Sequence, residues 1–143
     1  MRALLALFSA LCLLASAAPA ARAATPQVPD RVLVEGLDAA LPNGLEAMLR
    51  IWYADRPALA LEMRDKLYPL TRTLGTVIDT EIVAIQPVSK RVTRYYVAIY
   101  FSRCPVWMRV ERYANNETAF YLPLRFSTNP DEIMPGYITE FHQ

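Results

Sequence analysis

Histidine occurs once in this chain, cysteine twice and glycine four times. The single His142 stands next to the last residue. A catalytic imidazole needs a partner to orient it, and a chain end seldom supplies one. His142 therefore reads as a solvated tail residue. One His and two distant Cys are too few for a His- or Cys-based metal cluster, so no metal and no cofactor are expected. Four scattered glycines make no phosphate-cradling loop. An excess of charge of one sign is missing too, with 15 Lys and Arg against 14 Asp and Glu. Nucleic-acid binding needs a basic stripe to meet the phosphates, and none is expected here. No run of Asp and Asn matches a calcium loop.

The chain does have apolar residues, which make up 54% of its 143 positions. The first block of them reads as an address. Arg2 gives a short positive start, Ala3 to Leu14 form an apolar core, and Ala21-Arg22-Ala23 is an A-x-A cleavage site. Residues 1–23 are thus expected to be a signal peptide of a periplasmic or secreted bacterial protein. The Leu-rich stretch is too short to span ~30 Å of hydrocarbon, so no stable membrane span is expected after cleavage. Cys12 lies inside that stretch. Cleavage would leave Cys104 as the one thiol, with no internal disulfide, and a buried small side chain is its plain reading. Losing Arg2 and Arg22 also tips the balance slightly negative. Residues 24–30 (ATPQVPD) read as a Pro-containing linker, and 31–143 as a single domain.

Two helical patterns follow, and one ambiguous segment precedes them. Over Arg31–Leu41, Val32, Leu33 and Val34 suit a strand, whereas Val34, Leu37 and Leu41 suit a helix face. Pro42-Asn43-Gly44 breaks the pattern. Asn43 is a candidate N-cap for a helix over Leu45–Ala54, with Glu46 completing a capping-box-like signal. Leu45, Met48, Leu49 and Trp52 share one face of it. A second helix starts at Asp55-Arg56-Pro57, with proline in the first turn. Its stripe of Leu59, Met63, Leu67, Leu70 and Leu74 repeats at helical spacing. Gly75 suits the C-cap, and Pro69 is expected to kink or shorten the helix.

From Thr76 the period changes to two. Four strands are expected, over Thr76–Val88, Val92–Ser102, Val106–Ala114 and about Thr118–Ser127. Thr128–Glu132 is a turn, with a helical turn starting at Asp131. Ile138–Gln143 reads as loose. The apolar face carries Thr93, Tyr95, Val97, Ile99 and Phe101, then Val106, Met108 and Val110, then Phe120, Leu122, Leu124 and Phe126. Helices must cover it. The expected class is α+β, with N-terminal helices packed on one face of a curved four-stranded antiparallel sheet.

The opposite face mixes aromatic rings with charge: Arg94, Tyr96, Ala98 and Tyr100, then Trp107, Arg109, Glu111 and Tyr113, then Tyr121 and Arg125. Cross-strand pairs account for such a face, and so does a partner surface. Asp79 and Glu81 share one side of the first strand; such a carboxylate pair suits proton abstraction, but alternation has them face away from the core, either on an exposed strand face or pairing with Arg94. Ile78, Ile82 and Ala84 take the other side. Lys90, Arg91, Arg94 and Arg103 form a local basic cluster at hairpin ends, read as a solvated edge. Asn116-Glu117-Thr118 is a chance glycosylation sequon.

Leu67–Glu132 resembles small exported bacterial proteins of the NTF2-like, or broadly cystatin-like, type. The resemblance lies in LYPLTRTLG, VIDTEIVAIQPV, RYYVAIYF with VWMRVERY, and RFSTNPDEI. It implies a cone of sheet and helices, and no catalytic motif accompanies it. Two functions stand open. One is a non-enzymatic binding or protein-interaction module, a homodimer through the outer residues Tyr96, Tyr100, Trp107, Tyr113 and Tyr121. The other is a carrier or enzyme for an apolar small molecule inside the cone, near Tyr95, Trp52 and Met63.

Overall fold

The computed structural model describes residues 28–139. The signal-peptide and linker readings up to residue 27, Cys12 and His142 all lie outside the described residues. Among those described, three helices lead: α1 (Arg31–Asn43), α2 (Leu45–Trp52) and α3 (Pro57–Leu74). Five strands follow: β1 (Val77–Pro87), β2 (Val92–Phe101), β3 (Pro105–Ala114), β4 (Ala119–Tyr121) and β5 (Arg125–Ser127). A single 3-10 turn, Pro130–Glu132, and a short helix α4, Gly136–Thr139, close the described chain. The sheet is antiparallel in the order β1-β2-β3-β4, and β5 also pairs with β3. The class is α+β.

The ambiguous segment is a helix because Asp30, the last linker residue, caps it. The Asp30 carboxylate accepts from the amides of Val32 and Leu33, satisfying donors that a first turn leaves open. Leu33, Gly36, Leu37 and Ala40 are its buried face. Asn43 does not cap α2. It ends α1 instead, which runs through Pro42, and Gly44 (φ 77°) serves as the junction of both helices with no side-chain cap. α2 stops at Trp52 rather than Ala54, with Leu45, Met48, Leu49 and Trp52 buried. Pro69 does not shorten α3, which continues to Leu74. The Thr73 hydroxyl donates to the carbonyls of Pro69 and Leu70 in that last stretch. Arg103, from the β2–β3 turn, donates to the Thr73 carbonyl and its amide to that of Leu74, tying down the end of α3.

The helices cover one face of the sheet. Tyr95, Val97 and Ile99 of β2 and Val106, Met108 and Val110 of β3 join Leu33, Met48, Leu49, Trp52, Tyr53, Met63 and Leu67 in one buried cluster. A tight fit marks its centre. The Trp52 indole lies where a Cβ on Gly36 would stand, 2.2 Å from Nε1, and that Nε1 donates to the Leu33 carbonyl at 3.1 Å. Helices approach this closely only where a side chain is missing.

Two features alter the expected faces. β1 carries register shifts between Val77 and Asp79 and between Ile82 and Ala84. Such bulges add an unpaired residue and flip the alternation. Ala84 therefore pairs with Tyr96 on the outer face, and Ile78 is exposed rather than inward. The fourth strand is broken at Leu122-Pro123-Leu124. Proline has no amide to give a ladder, and the chain resumes pairing with β3 only at Arg125. The break also shifts the phase. Tyr121, expected on the outer face, is in the inner core with Leu124, while Phe120 pairs with Tyr113 on the other side.

Side chains fill the break. The Tyr53 hydroxyl, at the end of α2, donates to the Leu122 carbonyl at 2.9 Å and accepts from the Leu124 amide at 3.2 Å. Arg56, the residue before α3, donates to the Tyr121 carbonyl and lies over the Phe120 ring, 4.6 Å from its centre. The Tyr121 hydroxyl donates to Asp30 at 2.5 Å, and Arg112 meets the other Asp30 oxygen at 2.9 Å. The interrupted strand is thus held by the starts of α1 and α3 and the end of α2.

These buried phenols set a pH limit. Burial pushes Tyr53 up to about 12 and raises Tyr121 and Tyr95 as well, with the Asp30 carboxylate adding to both. The unfolded chain releases such protons near pH ~10. Stability is then complete below that value and falls as pH rises, because only the unfolded state has let its protons go. The urea midpoint should be flat from pH 7 to 9 and drop steeply between about 10 and 12. Lysine, the other group titrating there, occurs only twice. A flat midpoint through pH 12 would contradict the buried placement of these rings.

Candidate functional site

The three helices and the sheet do not close at the end where α1 meets α2. A cleft of about 570 Å³ opens there. Its walls come from four stretches distant in sequence: 40–46 and Leu49, Arg64–Thr71, Gly75–Val77, and Phe101. Local geometry makes the opening. Gly44 and Gly75 both have positive φ, 77° and 89°, and both line it. Each lets the chain turn sharply away from a helix end, where an L side chain is strained. Gly75 is further constrained, since a Cβ would stand 2.2 Å from the Ser102 hydroxyl.

Leu41, Leu45, Leu49, Leu67, Val77 and Phe101 give the cleft an apolar wall. Leu41 and Tyr68 remain 43% and 57% exposed, so apolar surface continues to the rim. Its charged groups are matched locally. Arg64 meets Asp65 at 2.8 Å, and Glu46 meets Arg50 at 2.5 Å. The Arg50 guanidinium holds the Glu46 carboxyl below its usual range. Asn43, Thr71 and Thr76 supply uncharged polar groups.

Tyr95, Trp52 and Met63 do not line this cleft. All three are buried, at 4%, 2% and 1% exposure, within the core that joins helices to sheet. Trp52 is locked to its own α1 through the Leu33 carbonyl. The Tyr95 ring lies towards Asp30 and Arg112, the groups that act on its hydroxyl. The space between sheet and helices at this point is taken by side chains.

The residues expected on the outer face fall in four different settings. Tyr96 faces outward but is covered: Ile133, Met134 and Ile138 pack over it, with Val83, Ala84 and Trp107 around them. Ile138 is therefore buried, not loose. The Tyr96 hydroxyl donates to Gln86, whose amide donates to the Tyr137 hydroxyl of α4. Tyr100 stays partly open beside Trp107, ring centres 6.4 Å apart. It donates to Glu81 at 2.8 Å, and that bond pushes its hydroxyl up to about 12. Tyr113 pairs with Phe120 at 5.4 Å. Tyr121 belongs to the inner core, as described above.

Asp79 and Glu81 do face outward, but Glu81 takes Tyr100 and Arg94 takes Glu111, at 2.7 Å. The reason is register. Arg94 stands directly opposite Glu111, whereas Glu81 stands opposite Ala98. The basic cluster does not assemble either. Arg103 caps α3 at one end of the β2–β3 hairpin, and Lys90, Arg91 and Arg94 lie at the other end.

Among the described residues, no three or more His, Cys, Asp or Glu gather as metal ligands, and no helix is long and apolar enough to cross a membrane. Cys104 is half-buried, its thiol 3.4 Å from the Pro105 carbonyl. Sequence reasoning missed the cleft because its walls share no local pattern. Its signals were Gly44 and Gly75, read only as helix punctuation. A scan against protein-family models, a search of curated proteins and a search of solved structures each find no match to this chain.

Proposed function

We propose that the chain is a non-enzymatic binding module that takes an apolar small molecule into the cleft between the helices and the sheet. One observation carries this reading: a cleft of about 570 Å³ with an apolar wall and a mixed polar rim. Ligand sites are typically of ~300–1,000 Å³ with that composition. The charged rim groups already pair with each other or with a neighbour, which favours an uncharged ligand oriented by Asn43, Thr71 and Thr76. The order of three helices followed by an antiparallel sheet supports an NTF2-like or cystatin-like cone, on element order alone. The mouth of the cleft, rather than the interior around Tyr95, is then the ligand site. Export to the periplasm or outside the cell rests on the sequence of residues 1–23. A homodimer through the outer face has less support, because the chain's own 133–138 segment covers Tyr96.

The test uses a neutral apolar probe, N-phenyl-1-naphthylamine, whose emission rises on leaving water. Wild type should bind it saturably. Thr71→Trp, which fills the cleft from α3, should weaken binding at least about tenfold, and Leu41→Asp should do the same from α1. Equal binding by wild type and both variants would overturn the proposal.

A further inference from the structure

On the opposite side of the sheet, two arginines of β3 and β5 are incompletely paired. The register places Tyr96, Arg109 and Arg125 in one row across β2, β3 and β5, on the outer face. Arg94 and Glu111 form the adjacent row. Like charges directly opposite each other destabilise a sheet, so Arg109 facing Arg125 calls for a counter-charge. Glu111 does not supply enough. It binds Arg94 at 2.7 Å and reaches Arg109 only at 3.7 Å. Within these two rows, one carboxylate thus faces three guanidiniums. Arg125 is exposed and has no ion pair or hydrogen-bond partner among the described residues. Glu132, farther along the same segment, is engaged with the Ser127 hydroxyl at 2.7 Å. Arg109 is only 23% exposed, and its charge, partly withdrawn from water, has only the shared Glu111 at 3.7 Å as partner.

We propose that Arg109 and Arg125 form a binding site for a phosphate monoester on the outer face of the sheet. Two guanidinium forks on neighbouring strands can share the oxygens of one tetrahedral dianion, a geometry that suits arginine better than lysine. The dianion supplies the counter-charge that Arg109 and Arg125 lack once Arg94 has claimed Glu111. The segment packed over Tyr96 and Trp107 borders the same row, so the ligand meets a wall on one side and solvent on the other.

The test is an NMR titration of the full chain with inorganic phosphate, with chloride at matched ionic strength as reference. The arginine Nε–H signals of Arg109 and Arg125 should move saturably. Arg125→Ala removes an exposed side chain and should weaken phosphate binding at least about tenfold, with the remaining spectrum unchanged. Arg125→Lys should recover binding in part. Phosphatidylcholine vesicles doped with phosphatidic acid then distinguish the source of the phosphate. Competition with inorganic phosphate assigns a lipid headgroup, and its absence assigns a soluble ester; the site stands in either case. Shifts no larger than those with chloride, or equal affinity in Arg125→Ala, would overturn it.

Discussion

Gly36→Ala should destabilise the protein severely, although the change usually helps a helix. In an exposed helix interior the alanine gains up to about 1 kcal/mol over glycine. Here the new methyl would stand 2.2 Å from the Trp52 Nε1 and 2.5 Å from its Cδ1. Trp52 is buried and cannot swing aside without moving α2. Overpacking costs roughly 1–3 kcal/mol. Displacing the indole also breaks its bond to the Leu33 carbonyl, leaving a buried donor open at about 1–3 kcal/mol more. The net loss should be about 3 kcal/mol, a large share of the ~5–15 kcal/mol that holds a domain together. Thermal melting should fall by at least about 10 °C. Gly136→Ala is the control, since no atom lies within 4 Å of a Cβ added there. Similar melting temperatures for the two variants would refute the close α1–α2 contact.

Tyr53→Phe should cost about 2–4 kcal/mol by a different route. The ring and its packing survive. What goes is one oxygen that serves two backbone groups, the Leu122 carbonyl and the Leu124 amide. Neither has a strand partner, because the break at Pro123 leaves both outside the ladder. The loss should show as a lower urea midpoint with an unchanged m-value. It should also show as faster hydrogen exchange at Leu124. Tyr100→Phe removes a hydroxyl bond of similar length, to Glu81, but at an exposed site. Its cost should stay below about 1 kcal/mol. Equal effects of the two would mean that the broken strand does not depend on Tyr53.

The sequence was most readable where one period ran uninterrupted. Leu59, Met63, Leu67, Leu70 and Leu74 mark α3, and all five meet the core. Alternation over Tyr95, Val97 and Ile99 marks the inward face of β2. Readings failed where one residue shifted the phase. Pro123 lies inside a run whose alternation suits a single strand, and a proline there breaks the ladder. Its effect was to move Tyr121 into the core and Phe120 out of it. The bulge before Ala84 did the same in β1, with no residue to announce it. α1 was ambiguous because Val32 and Val34 favour strands, and its decisive residue, Asp30, was placed in the linker. Tyr96 was read correctly as outward, but the chain returns through Ile133–Ile138 to cover it. The site was the least legible part, since its walls meet only in three dimensions.

The interruption at Pro123 has a bearing on how this protein behaves when crowded. An open sheet has two borders, and a long straight border invites a neighbouring molecule to add its own strand. One border here is β1, bent at two places by its extra residues. The other is split into two three-residue pieces, with a tyrosine and an arginine set against the gap. Neither offers a continuous row of free amides and carbonyls. The residues that tie helices to sheet thereby also deny a second copy a long straight border on which to add a strand.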